Sequence, residues 1–175
     1  GPPVVINLEQ CVTLVQKYRI QNKKITKGWD ICKNIINDMA IGTESSFGPI
    51  GWSKNTIWLP NGLQLKYPGL HYDMSEGNSS WFYTRKDKSI KIYGGLLCEN
   101  IVQALARLII AWQMLKIAEI YRVVMMTHDE IIALIPAEEA KEALANMIEI
   151  MRQPPPWCSN IPLNAEGKVA DYYPK

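Results

Sequence analysis

The chain has 175 residues, 47% of them hydrophobic, and its 19 Lys and Arg against 17 Asp and Glu leave a net charge of +2. That length fits one domain or one large piece of a bigger protein, and the composition allows a packed core. So small a net charge says nothing by itself about nucleic acid, and the chain holds no repeat and no low-complexity tract.

Asn7 is placed to cap a first helix, "LEQCVTLVQKYRIQNKK", in which Leu8, Cys11, Val12, Val15, Tyr18 and Arg19 recur at three- and four-residue steps. A second helix, "ITKGWDICKNIINDMAIG", sets Ile25, Trp29, Cys32, Ile35 and Ile36 on one side and stops at Gly42. "TESSFGPIGWSK" is expected to be loop, broken by Gly48-Pro49. In "TIWLPNGLQLKYPGL" the Pro60-Asn61-Gly62 stretch signals a hairpin, because Asn and Gly tolerate positive φ. Leu63, Leu65 and Tyr67 alternate there with Gln64 and Lys66. A polar loop, "HYDMSEGNSS", leads to two further strands, "WFYTR" and "SIKIY", joined by the charged turn Lys86-Asp87-Lys88.

Gly94-Gly95 opens a long helix from Leu96 to about Ala118, apolar nearly all round and so expected to be buried on most sides. Gln103, Arg107, Gln113 and Lys116 interrupt it too often for a membrane span. Glu99, Asn100, Gln103 and Arg107 form one stripe along it, either an edge facing water or a row of groups for base edges and sugars. "YRVVMM" and "EIIALIP" are strands. "AEEAKEALANMIEIMRQ" is an amphipathic helix with Ala137, Ala140, Leu144, Met147, Ile148 and Met151 inward, and Glu138 and Glu139 near its positive end. "PPPW" ends it, and "IPLNAEGKVADYY" supplies a last short strand with a Glu166-Gly167 turn. The order predicts an α+β fold: helices packed on a small antiparallel sheet, with a β-insert. Its parts are residues 3–42, helical; 43–93, the insert; and 94–175, the remainder.

Candidate chemistry is sparse. The cysteines, Cys11, Cys32, Cys98 and Cys158, form no C-x-x-C pair, and with only His71 and His128 they argue against structural zinc. Their spacing and the lack of a signal peptide fit reduced thiols in a cytoplasmic setting. Gly1-Pro2 carries no argument. Basic clusters at Lys23, Lys24 and Lys27, and at Arg85, Lys86, Lys88 and Lys91, are either solvated surface or a surface for phosphates. Between the two late strands stands Thr127-His128-Asp129-Glu130. On its own it fits a polar turn. The functional alternative, second to that on the residues alone, is a corner whose carboxylates meet in a cleft as hard ligands for Mg²⁺, with His128 beside them as a donor to phosphate. There is neither an H-E-x-x-H zinc motif nor a nucleophile elbow.

With its flanks the segment becomes more specific. "YGGLLCENIVQALARLIIAWQML", "YRVVMMTHDEIIALIP" and "MRQPPPWCSNIPLNAEGKVADYY" together resemble the C-terminal part of bacteriophage-type family A DNA polymerases. "GPPVVINLEQCVTLVQKYRIQNKKITKGW" and "IWLPNGLQLKYPGL" look like the same family's segments in the same order, so the resemblance covers essentially the whole chain. It implies that the His-Asp-Glu hairpin is motif C of the polymerase palm. Asp129 would then bind catalytic Mg²⁺ with Glu130 as accompanying carboxylate, and His128 would contact the primer-terminal phosphate. Gln103 would touch the minor groove near the primer end, assisted by Asn100, and Arg107 would support the site or a phosphate. Minor-groove acceptors are common to all base pairs, so such contacts test pairing without reading sequence.

The pattern also departs from the family. Leu108 stands where relatives commonly have Asp, and Leu96 where a basic residue is common. The motif A aspartate and the fingers motif B with its Arg and Lys are missing. "YDMSE" at Tyr72 and the terminal "ADYYPK" lack their context, and no exonuclease segment is present. The expectation is a C-terminal subunit or fragment of a DNA-directed DNA polymerase, inactive alone. It would work with an N-terminal polymerase fragment carrying motifs A and B, on primer–template DNA, and take dNTP only in the assembled enzyme. In this view it needs no membrane, self-associates when alone, and resides in the bacterial host cytoplasm if phage-encoded. Two other readings are a polymerase-derived DNA- or protein-binding module without catalysis, and a small metal-dependent phosphohydrolase using Asp129 and Glu130.

Overall fold

A computed structural model describes residues 6–74 and 79–173. Thus "YDMSE" and the polar loop around it lie partly outside the described residues, as do the first residues of the helical segment 3–42. Two compact units divide the chain: Gly1–Trp58 with Gln64–Ile101, and Leu59–Leu63 with Val102–Lys175. Each is taken by itself.

In the first unit, α1 (Leu8–Gln21) starts on Asn7, whose side chain accepts from the Gln10 N–H while Gln10 answers at the Asn7 N–H. The helix ends three residues earlier than expected. Asn22 leaves helical geometry there and its side-chain amide donates to the Tyr18 carbonyl. The residues that recur at helical spacing are not buried: Leu8 is 81% exposed, and Val12, Val15 and Tyr18 are also exposed. Periodicity identified the helix, but α1 has no buried residue.

By contrast α2 (Lys23–Ile41) buries Cys32, Ile35, Ile36 and Met39. Each such aliphatic side chain contributes about 1.5–3 kcal/mol relative to exposure. Gly42 closes the helix at φ +87°, and its N–H and that of Thr43 both reach the Asp38 carbonyl. Asp38 also accepts from the Trp52 indole at 3.2 Å, which fixes the helix end on the neighbouring sheet. The four cysteines are free thiols. Burial pushes the Cys32 thiol up to about 12, with the adjoining Cys98 adding to the shift.

The expected loop after Gly42 is instead a hairpin, β1 (Ser45–Phe47) with β2 (Ile50–Ser53), turning through Gly48 at φ +57° and Pro49. Breaker residues marked the turn correctly, and the short flanking runs concealed the strands. Then β3 (Thr56–Trp58) and β4 (Gln64–Lys66) complete a four-stranded antiparallel sheet in sequence order. The β3–β4 connection is the Pro60-Asn61-Gly62 turn, with Gly62 at φ +83° and the Asn61 side chain accepting from the Leu63 N–H. Leu63, on the expected apolar face, is exposed. The segment expected as polar loop begins with a strand. This β5 (His71–Asp73) pairs with β6 (Ser80–Arg85), which pairs with β7 (Lys88–Ile92).

Gly94 begins α3 (Gly94–Ala118) where the backbone runs against α2: a Cβ on Gly94 would overlap the Trp29 carbonyl oxygen. α3 is the one helix among the described residues long and apolar enough, by length and composition, to cross a membrane. The expectation that it is buried on most sides is corrected, since 28% of its most apolar stretch is buried and Val102 and Leu115 face outward.

In the second unit the C-terminal half of α3 packs with β8 (Arg122–Thr127), β9 (Glu130–Leu134) and α4 (Ala140–Met151). Ile110, Ile117, Ile131 and Ile150 form the core, with Met114, Tyr121, Val123, Met126, Met147 and Met151 packed against it. α4 starts at Ala140, so Glu138 and Glu139 lie in the turn before it, and its buried residues are Ala143 and Ile150. The final strand is also corrected. Residues 161–173 contain no strand, because their anchors are side-chain contacts and no ladder receives them. The fold is therefore α+β with separate antiparallel sheets of four, three and two strands among the described residues.

Two outcomes follow for stability. Gly94→Ala should cost about 1–3 kcal/mol or more, because the obstruction is backbone. Gly95→Ala, which meets the Tyr93 ring at 3.3 Å, should cost clearly less, and equal urea midpoints would refute the close approach. Gln113 is 3% exposed and donates to the carbonyls of Met151 at 2.6 Å and Gln153 at 3.2 Å. Gln113→Leu should lower stability by about 1–3 kcal/mol in thermal denaturation, since it strands two acceptors, and an unchanged midpoint would contradict that role.

Candidate active site

The strand pair β8–β9 is joined through the two residues His128 and Asp129, flanked by the pair Thr127–Glu130. His128 takes the left-handed conformation at φ +52°, which His adopts more readily than most residues. The hairpin is anchored by Ile131, Val123 and Met126 on the core, while His128, Asp129 and Glu130 are all exposed at its tip. A register shift between Val123 and Met125 leaves Val124 opposite no partner, and such bulges increase local twist.

The two carboxylates differ in their surroundings. Asp129 sits in the turn with no side-chain hydrogen bond or ion pair among the described residues. Glu130 is the first residue of β9, and its Oε2 accepts the Tyr173 hydroxyl at 2.9 Å. That contact and the negative charge of Glu130 push the Tyr173 phenol above its ordinary value.

Tyr173 arrives by a defined path. Arg152, at the end of α4, bonds the Asn164 side chain at 3.0 Å and pairs with Glu149. Gly167 then crosses α4 so closely that a Cβ there would lie 2.7 Å from Leu144 Cδ1. Nothing in the pattern of the tail identified Tyr173 as a neighbour of the hairpin.

On α3, Gln103 and Arg107 are exposed one helical turn apart and lie in the second unit. Asn100 lies in the first unit, half-buried, and its amide donates to the Tyr67 hydroxyl at 3.2 Å. Burial raises the Tyr67 phenol and the Asn100 bond partly opposes that shift. The geometry thus brings His128, Asp129 and Glu130 together and assigns Asn100 a bond inside its own unit.

Hard oxygen donors at an exposed corner suit a magnesium-type ion that keeps most of its waters. The described residues contain no group of three or more His, Cys, Asp or Glu able to hold a metal.

Comparison with known proteins adds a relative. The chain is 33% identical over 180 aligned positions to the DNA polymerase of Bacillus phage SP02. This chain is related to a DNA polymerase. The match takes in 93% of the chain and 27% of the relative, so the chain spans about a quarter of that protein's length. No protein-family model and no solved structure matches it.

The Tyr173–Glu130 contact has a titration signature. A tyrosine whose folded pKa is raised lends its contact fully below its unfolded value of 10.0 and loses it as pH rises through the folded value. Ultraviolet titration should therefore show a late-titrating phenol that moves to lower pH in Glu130→Gln while the buried Tyr67 stays put. Superimposable curves for the two proteins would mean that the contact does not form in solution.

Proposed function

We propose that the chain is the C-terminal, palm-side piece of a family A DNA polymerase and acts only together with the polypeptide that carries motifs A and B. The observation that carries this reading is the coincidence of two facts. The chain matches a phage DNA polymerase along nearly its whole length, and its His-Asp-Glu segment forms a hairpin tip with an unpartnered aspartate.

In this reading Asp129 holds one side of a magnesium site and Glu130 stands beside it, fixed by Tyr173. The ion, when bound, supplies charge stabilisation for the attacking and leaving oxygens of phosphoryl transfer. His128, at the same tip, donates to the primer-terminal phosphate. Gln103 reaches the minor groove at the primer end, with Arg107 one turn along at a phosphate. The incomplete ligand set among the described residues supports the need for a second polypeptide segment. So does the apolar surface left open on α1, on α3 at Val102 and Leu115, and on the hairpin at Val124 and Leu134. Apolar side chains left exposed within each unit offer a partner something to cover, and in the isolated chain they would drive self-association. The assembled enzyme would work in the cytoplasm, that of the bacterial host if it is phage-encoded.

The deciding experiment is reconstitution. The chain is co-expressed with a fragment supplying the remaining three quarters of such a polymerase, and primer extension is measured with Mg²⁺. Complex formation and extension are expected, with a loss of about 10²–10³-fold in Asp129→Ala, of the size seen when a key electrostatic group is removed from an active site. Because Asp129 is exposed and unpartnered, that variant should fold normally. Extension by this chain alone, or full activity in Asp129→Ala, would defeat the proposal.

A further inference from the structure

The cationic hairpin β6–β7 and the aromatic row beside it are left unused by the hairpin-tip site. We infer that the outer face of the β5–β6–β7 sheet is a separate binding surface for single-stranded DNA, with the β6–β7 turn contacting phosphates and His71–Phe82 receiving an unpaired base. Tyr83 and Ile92 are buried, so their neighbours Phe82 and Lys91 point to the opposite face. There His71, Phe82 and Lys91 lie side by side across the three strands. The His71 and Phe82 rings are stacked, 6.2 Å between centroids and 28° between planes. His71 and Lys91 are exposed and Phe82 is half-buried.

The row is held in place. His71 Nδ1 lies 2.8 Å from the Gly69 carbonyl, so the Nδ1–H tautomer donates there and the ring orientation is set. The Pro68-Gly69 turn is in turn docked on β6, since the Thr84 N–H donates to the Pro68 carbonyl at 2.8 Å. Gly69 has φ +65°, and a Cβ on it would lie 3.0 Å from the Thr84 hydroxyl. A fixed, open π-face beside cations is the arrangement that binds unpaired nucleic acid without regard to sequence.

The turn itself breaks local rules. Lys86 and Asp87 both have positive φ, +48° and +60°, a geometry that Asn-Gly adopts with less strain. Arg85 and Lys88 are directly opposed across the ladder, and like charges in that register destabilise a hairpin. Between residues 85 and 91 stand Arg85, Lys86, Lys88 and Lys91 against Asp87 alone, for a local charge of +3. Four cations gathered where the backbone gains nothing from them match a polyanion as partner.

The test uses the full chain and a fluorescent oligothymidylate in fluorescence anisotropy, with EDTA present so that no metal at the hairpin tip contributes. Binding at low salt is expected. The combined change Lys86→Glu, Lys88→Glu and Lys91→Glu, all at exposed positions, should weaken it at least about 10-fold and reduce the salt slope of log K by roughly 2, at about 0.7 per phosphate contact for single strands. His71→Ala should keep most of the salt dependence and lose the preference for single-stranded over duplex DNA. The same reversals at Lys23, Lys24 and Lys27 should change affinity by less than about 3-fold, the most that long-range charge leaves after screening. Absence of binding by the unaltered chain would overturn the inference. So would indifference to the triple reversal in a chain whose circular dichroism is unchanged. Equal affinity for duplex, or equal competition by polyglutamate, would mark a general polyanion surface and overturn it as well.

Discussion

The second unit is organised around one buried amide. After Arg152 and Gln153, α4 is followed by Pro154, Pro155 and Pro156, none of which has an N–H to donate back to the helix. The carbonyls of Met151 and Gln153 therefore need donors from elsewhere, and Gln113 on α3 supplies them. Pro155 is itself fully buried, so water is not an easy substitute. This bond fixes the end of α4 against α3. It thereby fixes the layer on which Ile131 and the hairpin rest. Misplacing that layer would carry Asp129 with it, although no part of Gln113 is near the candidate chemistry by sequence.

The first unit solves a different problem. α1 carries a periodic set of apolar residues that stay open, whereas α2 buries a compact set against its sheet. The distinction is one of neighbours. A periodic apolar stripe shows that a helix wants a partner and leaves open whether the same chain supplies it. For α2 the partner is local, because the Gly42 cap and the Trp52–Asp38 bond fold the next strands back onto it. For α1, the described residues contain no comparable return.

The same reasoning explains how much was legible in advance. The N-cap at Asn7, the stop at Gly42, the Pro60-Asn61-Gly62 hairpin and the two-strand frame around His128 were all readable, since each depends on residues adjacent in sequence. β1, β2 and β5 were not readable as strands, because each has three or four residues and gains its identity from pairing. The tail failed in the opposite direction. Its apolar and polar residues alternate, but they are captured by Arg152, by the close crossing of Gly167 and by Glu130, so alternation did not become a ladder. At the candidate site the three tip residues were legible as a group, and the unequal surroundings of their carboxylates were not.

That inequality has physical content. Two unit charges 4 Å apart in water interact by only about 1 kcal/mol, so one exposed carboxylate holds a cation weakly. Placing a second carboxylate next door would strengthen the field, but two adjacent anions also repel each other. Here the conflict is eased by division. Glu130 sits in the ladder and shares its charge with the Tyr173 hydroxyl, while Asp129 stays in the turn with its oxygens uncommitted. A corner built in this way is not a strong metal site by itself. In the proposed reading it would become one only when a further carboxylate and a substrate phosphate closed the coordination sphere and excluded water, which raises the value of every charge already present. Under the proposed function, a dependence on a second polypeptide segment is what the electrostatics of such a tip would require.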